Sequence, residues 1–207
     1  MSLQSYDDIN ELHIDVLREL ANIGSGNAAS SLSRMLGNPV DISIPDISIK
    51  GFNETYAALG GADAIMVGTL LMLSGGISGM MMFLLPASVA CDLVNMLMFT
   101  DIKGYEEIDD MGFSAINEIS NIMSGSFVGA VAEMTGLPID ISPPEAHLDM
   151  LGSIMSVPSI YFAHISDTLL LIQNELEISG KKARANVIML PDMPSLEKLM
   201  ASLGIDT

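Results

Sequence analysis

Two glutamates and two asparagines set the chemistry this chain can attempt. Glu19 and Asn22 stand three residues apart, Glu118 and Asn121 repeat the spacing, and the second pair follows the first by 99 positions. The chain around them repeats as well: DVLRELANIGSGNAASSLSRMLGNPVDISIP is answered by SAINEISNIMSGSFVGAVAEMTGLPIDISPP. Asp15/Ser114, Glu19/Glu118, Asn22/Asn121, Gly26/Gly125 and Pro45/Pro144 fall in register without a gap. A duplicated core explains repeated apolar positions, because both copies must bury the same face. Repeated polar positions point instead to a site present twice. Neither Glu nor Asn is a strong nucleophile, and no basic residue or histidine joins the pattern. A carboxamide can accept one hydrogen bond from a water molecule while donating another, which holds that water in line for attack. The chemistry on offer is positioning, and it is complete only if a second molecule supplies the reacting group.

Helices must carry these residues. At about 100° per residue, Asp15, Glu19, Asn22 and Gly26 fall within roughly 60° of one another, as do Ser114, Glu118, Asn121 and Gly125. Val16, Leu20, Ile23, Gly24, Ala28, Ser31 and Met35 lie around the other side of the first helix. Ile116, Ile119, Met123, Phe127, Ala130 and Met134 do so on the second. Asn is mildly unfavourable within a helix, since its amide competes for backbone hydrogen bonds. A helical Gly costs about 1 kcal/mol against Ala. Gly26 and Gly125 on the outward stripe leave bare backbone that another molecule can approach.

The pattern Asp/Ser, three residues, Glu, two residues, Asn, twenty-two residues, Pro resembles the signature of the CheC/CheX/FliY phosphatases of chemotaxis. Asp15, Glu19, Asn22 and Pro45 satisfy it once, and Ser114, Glu118, Asn121 and Pro144 satisfy it again. The likeness runs from about Leu12 to near Leu190, and its doubled motif is similar to the CheC branch. A protein of that family is expected to hydrolyse the aspartyl phosphate of a phosphorylated CheY-type response regulator. The resemblance implies that Asn22 and Asn121 place the water and that Glu19 and Glu118 pair with the regulator's Lys. It leaves Asp15 and Ser114 to orient the Glu or cap local donors. The Mg²⁺ comes with the regulator, so no cofactor of its own is expected, and CheD is the expected regulatory partner. A scaffold reading stands beside this: a motor-switch protein, like the middle domain shared by FliY and FliM, that captures the phosphorylated partner without hydrolysing it. Docking alone would not need the amide at both positions, which favours the enzyme.

Composition excludes other classes. The net charge of −18, with only 8 Lys and Arg in 207 residues, argues against a nucleic-acid binder. Residues 64–91 carry no charge, yet Ser74-Gly75-Gly76 and Pro86 cut the run into pieces shorter than the ~20 residues a spanning helix needs. Acidic flanks, Asp63 and Asp92, also speak against a membrane segment. No export signal is visible at the N-terminus. A single Cys91 in an apolar stretch reads as a packed side chain in a reducing, cytoplasmic setting. Gly24-Ser25-Gly26-Asn27 lacks the Lys of a phosphate-binding loop and lies inside a helix. His13, His147 and His164 show no metal-ligand spacing, and Met80, Met81 and Met82 read as core.

The expected elements are a helix over 8–36, a strand over 40–49, an apolar hairpin over 64–73 and 77–85 turning at Ser74-Gly75-Gly76, and a helix from Pro86 to Met98. A linker is expected over 101–110. The order then repeats: a helix over 108–134, strands over 139–142, 154–165, 169–178 and 186–190, and a terminal helix over 194–203. Pro45 and Pro144 are expected to fix how the strand leaves the helix. The class is α+β: one domain, 1–207, of two internal repeats (about 8–100 and 108–207) sharing an antiparallel sheet, with both motif helices packed on one side. The CheC resemblance adds a pseudo-twofold relation between the halves.

Overall fold

The computed structural model describes residues 5–162, 167–178 and 180–205. Two 26-residue helices dominate it, α1 (Glu11–Leu36) and α4 (Asp110–Thr135). Their ends are built alike. Asn10 caps α1, its Oδ1 accepting from His13 N–H at 3.1 Å while Asn10 N–H donates to His13 Nδ1 at 3.0 Å. Asp109 caps α4 by accepting from Gly112 N–H at 2.9 Å. Each cap satisfies donors that the first helical turn leaves open. Gly37 and Gly136 then stop the helices with φ of 64° and 67°, a left-handed conformation that costs glycine nothing.

Between and after them run β1 (Val40–Ile42), β2 (Asp46–Gly51), α2 (Phe52–Ala58), β3 (Ile65–Gly75), β4 (Gly79–Pro86) and α3 (Ala87–Met98), followed by β5 (Ile139–Ile141), β6 (Glu145–Met150), α5 (Leu151–Ile154), α6 (Ser156–Phe162), β7 (Thr168–Ile178), β8 (Lys181–Pro191) and α7 (Met193–Ser202). The eight strands form one sheet, ordered β1-β7-β8-β4-β3-β5, with β2 also on β7 and β6 also on β3. Every pairing is antiparallel. The short strands cross over: β1 and β2 lie along β7, Val40 opposite Ile178, while β5 and β6 lie along β3, Gly75 opposite Ile139. The two long hairpins meet at β4 and β8, with Met82 opposite Ile188.

Strand alternation sorts side chains to two faces. Leu71, Met81, Phe83, Ile172 and Val187 turn toward α1, α4 and α7, joining Leu20, Leu32, Phe127 and Leu196 in the larger core. Met66, Met82, Leu84, Leu171 and Ile188 turn the other way, toward Leu151, Ile154 and Phe162. Each such Leu contributes about 1.5–3 kcal/mol through burial, which is what fixes the two long helices to the sheet.

Several expectations are corrected. The strand over 40–49 is two strands, because Pro45 lies in the break and can donate nothing to the ladder. Pro144 holds the same place between β5 and β6. Both prolines therefore divide a strand; neither sets the helix exit. Ser74 and Gly75 belong to β3, and the turn falls at 76–78. The strand expected over 154–165 is helical through Phe162, while β6, whose Glu145, His147 and Asp149 alternate with apolar residues, was not expected at all. The rest of that expected strand, and His164, lie outside the described residues. The linker expected over 101–110 is not overturned: it joins α3 to α4 and is held at Ile102, where Asn95 donates to Ile102 O at 3.0 Å and accepts from Ile102 N–H at 2.9 Å. Ile23, expected in the core, is exposed.

Candidate functional site

The stripe residues stand in solvent on both long helices. Asp15, Glu19 and Asn22 are exposed on α1 and Gly26 is half-buried; Ser114, Glu118, Asn121 and Gly125 are exposed on α4. A Cβ built on Gly26 or Gly125 would meet nothing within 4 Å. The core faces behind them hold Leu17, Leu20, Ala28 and Leu32, and Ile116, Ile119, Met123 and Phe127. The side chains of Glu19, Asn22, Glu118 and Asn121 make no hydrogen bond or ion pair among the described residues. Their neighbours behave otherwise. Asp15 pairs with Arg18 one turn on, and Ser114 Oγ donates to Asp110 O at 2.9 Å. Neither side chain touches its Glu: Asp15 is engaged by Arg18, whose charge offsets its own, and Ser114 by the helix backbone.

Small-residue packing sets the distance between the helices. The ring of Phe127 fills the space beside Gly24, and Ser126 Oγ donates to Ser31 Oγ at 2.7 Å. Below them, Ser120 Oγ donates to Thr69 Oγ1 at 3.0 Å, and Asn117 Oδ1 accepts from Ala146 N–H at 2.9 Å, tying α4 to β3 and β6. The rods that display the four residues are thus held from behind.

A cleft of about 530 Å³ opens on the opposite face of the sheet and is lined by Gly68, Leu70, Glu145, His147, Asp149 and Ser153. Ser153 Oγ and Met150 N–H, both donating to Asp149, hold that carboxyl below its ordinary range. Size alone does not make this cleft the site, because none of the stripe residues lines it. Cys91 is buried, and burial together with the Asp92 carboxylate pushes its thiol up, away from a nucleophile's range. His13 is buried and spent on the α1 cap. Among the described residues no group of three His, Cys, Asp or Glu side chains is placed to hold a metal ion, and no helix is long and apolar enough to cross a membrane.

The family model described as the CheC-like family matches residues 12–49, and that of the chemotaxis phosphatase CheX matches residues 67–164. A CheY-P phosphatase CheC of Bacillus subtilis is 30% identical over 96% of this chain and 97% of its own length. The chain belongs to the CheC family. CheC-family membership makes it a phosphatase. Among solved structures, FliY of Thermotoga maritima superposes with a TM-score of 0.78 at 21% identity, covering 95% of this chain and 98% of that one. CheX in a CheX-CheY-BeF3-Mg complex of Borrelia burgdorferi superposes with a TM-score of 0.51 at 19% identity, covering 82% and 96%. Both likenesses establish the fold.

Sequence reasoning missed the apolar residues beside the stripes. Leu12 and Met111 are 59% and 63% exposed, and Ile23 is 36% exposed. Leu12 and Met111 are again 99 positions apart. The register that singled out the polar residues contained that signal too.

Proposed function

We propose that this phosphatase hydrolyses the aspartyl phosphate of a phosphorylated CheY-type response regulator. One observation carries the reading: two exposed Glu/Asn pairs, without side-chain partners among the described residues, on stripes that offer no activated nucleophile and no histidine. Such a pair is half of an active site. A response regulator holds the other half, namely the acyl phosphate, a bound Mg²⁺ and a Lys. Phosphoryl transfer is governed by positioning and charge stabilisation, so a helix that adds only an aligned water is enough to accelerate it. Asn22 and Asn121 each accept a hydrogen bond from the attacking water through Oδ1 and hold it opposite the leaving aspartate. Glu19 and Glu118 dock against the regulator's Lys, and Gly26 and Gly125 let the regulator's backbone come close. The CheX-CheY-BeF3-Mg complex, in which a protein of this fold engages CheY, supports the choice of partner. The same reading takes CheD as the regulatory partner, the cytoplasm as the setting, and the chain as one domain of two repeats.

The test is phosphate release from a phosphorylated CheY-type regulator with Mg²⁺ present. The protein accelerates it, and Asn22→Ala with Asn121→Ala removes the acceleration while circular dichroism and the melting temperature hold. Undiminished turnover in the double variant would remove both asparagines from water positioning, whereas no acceleration by the wild type would assign the stripes to capture without hydrolysis.

A further inference from the structure

The contacts between α1 and α4 determine which way the two stripes point. With Asp15 set at 0° on α1, Glu19, Asn22 and Gly26 fall between about −20° and 40°. The residues that touch α4, Gly24 against Phe127 and Ser31 against Ser126, fall at roughly 160–180° on the same wheel. On α4, with Ser114 at 0°, Ser126 and Phe127 bracket about 170°. Each helix therefore turns its back on the other and shows its stripe to the opposite flank. Packed helix axes lie about 8–10 Å apart, and each helix is about 10–12 Å across, so the stripes stand ~20 Å apart facing away from each other. Two small domains, each roughly 30 Å across, would collide at that spacing on one face. On opposite flanks they do not meet.

Beside each stripe lies an apolar shoulder. Leu12 and Ile23 fall at about 60° and 80° on α1, and Met111 and Ile122 at the same angles on α4. Leu12, Ile23 and Met111 are exposed and Ile122 is half-buried. An exposed apolar side chain is common by itself, but the same two positions in both copies parallel the repeated Glu and Asn. On a chain of net charge −18, apolar contact supplies affinity that salt does not screen.

We propose that the chain carries two complete docking surfaces turned away from each other, each a Glu/Asn stripe with an apolar shoulder, and that two phosphorylated receiver domains occupy them at once. This rests on the reading that a receiver docks at these stripes. The acidic stripe meets the cationic Lys and metal of the receiver's phosphorylation site, and the shoulder meets the apolar surface around it.

Titration with a CheY-type receiver activated by BeF₃⁻ and Mg²⁺, followed by calorimetry and by light scattering of the complex, reads the stoichiometry. Two receivers bind per chain, and Glu19→Lys or Glu118→Lys alone leaves one. In the Glu118→Lys background, Leu12→Asp weakens the remaining site at least tenfold with an unchanged melting temperature; in the Glu19→Lys background, Met111→Asp does the same. One receiver per wild-type chain, with each single-site variant still binding one, would overturn simultaneous occupancy and leave receiver docking standing. Undiminished affinity in the Asp variants would overturn the shoulder. Absence of binding by the wild type would refute the receiver reading itself, and this proposal with it.

Discussion

The ring of Phe127 occupies the space that a side chain at Gly24 would need: a Cβ there would lie 2.7 Å from Phe127 Cδ2. Two residues further along the same helix, Gly26 has open space around it. One glycine is kept by packing, and the other has no packing reason to be glycine.

Alanine at these two positions should therefore act in opposite directions. Gly24→Ala forces the α1–α4 contact apart and should destabilise by about 1–3 kcal/mol, the usual cost of overpacking. Gly26→Ala removes a helical glycine at no steric cost and should stabilise by up to about 1 kcal/mol, while weakening receiver docking. Urea midpoints and binding titrations of the two variants check both signs. A destabilised Gly26→Ala would show that the bare backbone serves the fold.

Ser114 Oγ is committed to the helix carbonyl of Asp110. Ser114→Ala should leave turnover within about twofold, because an interaction that stays the same between ground and transition state does not change the rate. A tenfold fall in kcat measured by phosphate release would give Ser114 a part in orienting Glu118 after all.

Tyr6 is fully buried and its Oη donates to Pro191 O at 2.8 Å. Burial, with the Asp192 carboxylate adding, raises this phenol far above its ordinary 10.0. The unfolded chain releases that proton near pH 10 while the folded chain keeps it. The native state then binds more protons, and stability falls as pH rises past about 10. Tyr6→Phe should cost about 1 kcal/mol at pH 7 for the lost hydrogen bond, and the gap from wild type should close above pH 10. Chemical denaturation at pH 7 and 10.5 measures this. A gap that stays constant with pH would remove Tyr6 from the alkaline transition.

The strands of one half complete the sheet of the other, β1 and β2 on β7, β5 and β6 on β3. Fragments 1–103 and 104–207, made separately, should each lack a cooperative thermal transition and regain one when mixed. A sharp transition in either fragment alone would mean that the halves are independent domains.

The sequence determined what local forces control. Helix-period stripes and the stops at Gly37 and Gly136 made the C-terminal ends of α1 and α4 readable to within a residue, since a stop acts within one turn. The caps at Asn10 and Asp109 went unread, and the starts were placed two or three residues early. The gap-free repeat of Glu19/Asn22 as Glu118/Asn121 located the candidate site, because polar positions drift unless something holds them. Residues 154–162 were misread because a short apolar run suits a buried strand and a buried helix equally. At β6, alternation of Ala146, Leu148 and Met150 with charged neighbours carried a strand signal that went unread. Tertiary structure alone decided the rest. The crossing of β1 and β2 onto β7 depends on pairing between residues more than a hundred positions apart, where hydrogen bonds form wherever the shared core brings edges together. The opposed directions of the two stripes likewise follow from which faces of α1 and α4 meet. Small residues at Gly24, Ser31 and Ser126 permit that meeting, but only a packed neighbour selects it.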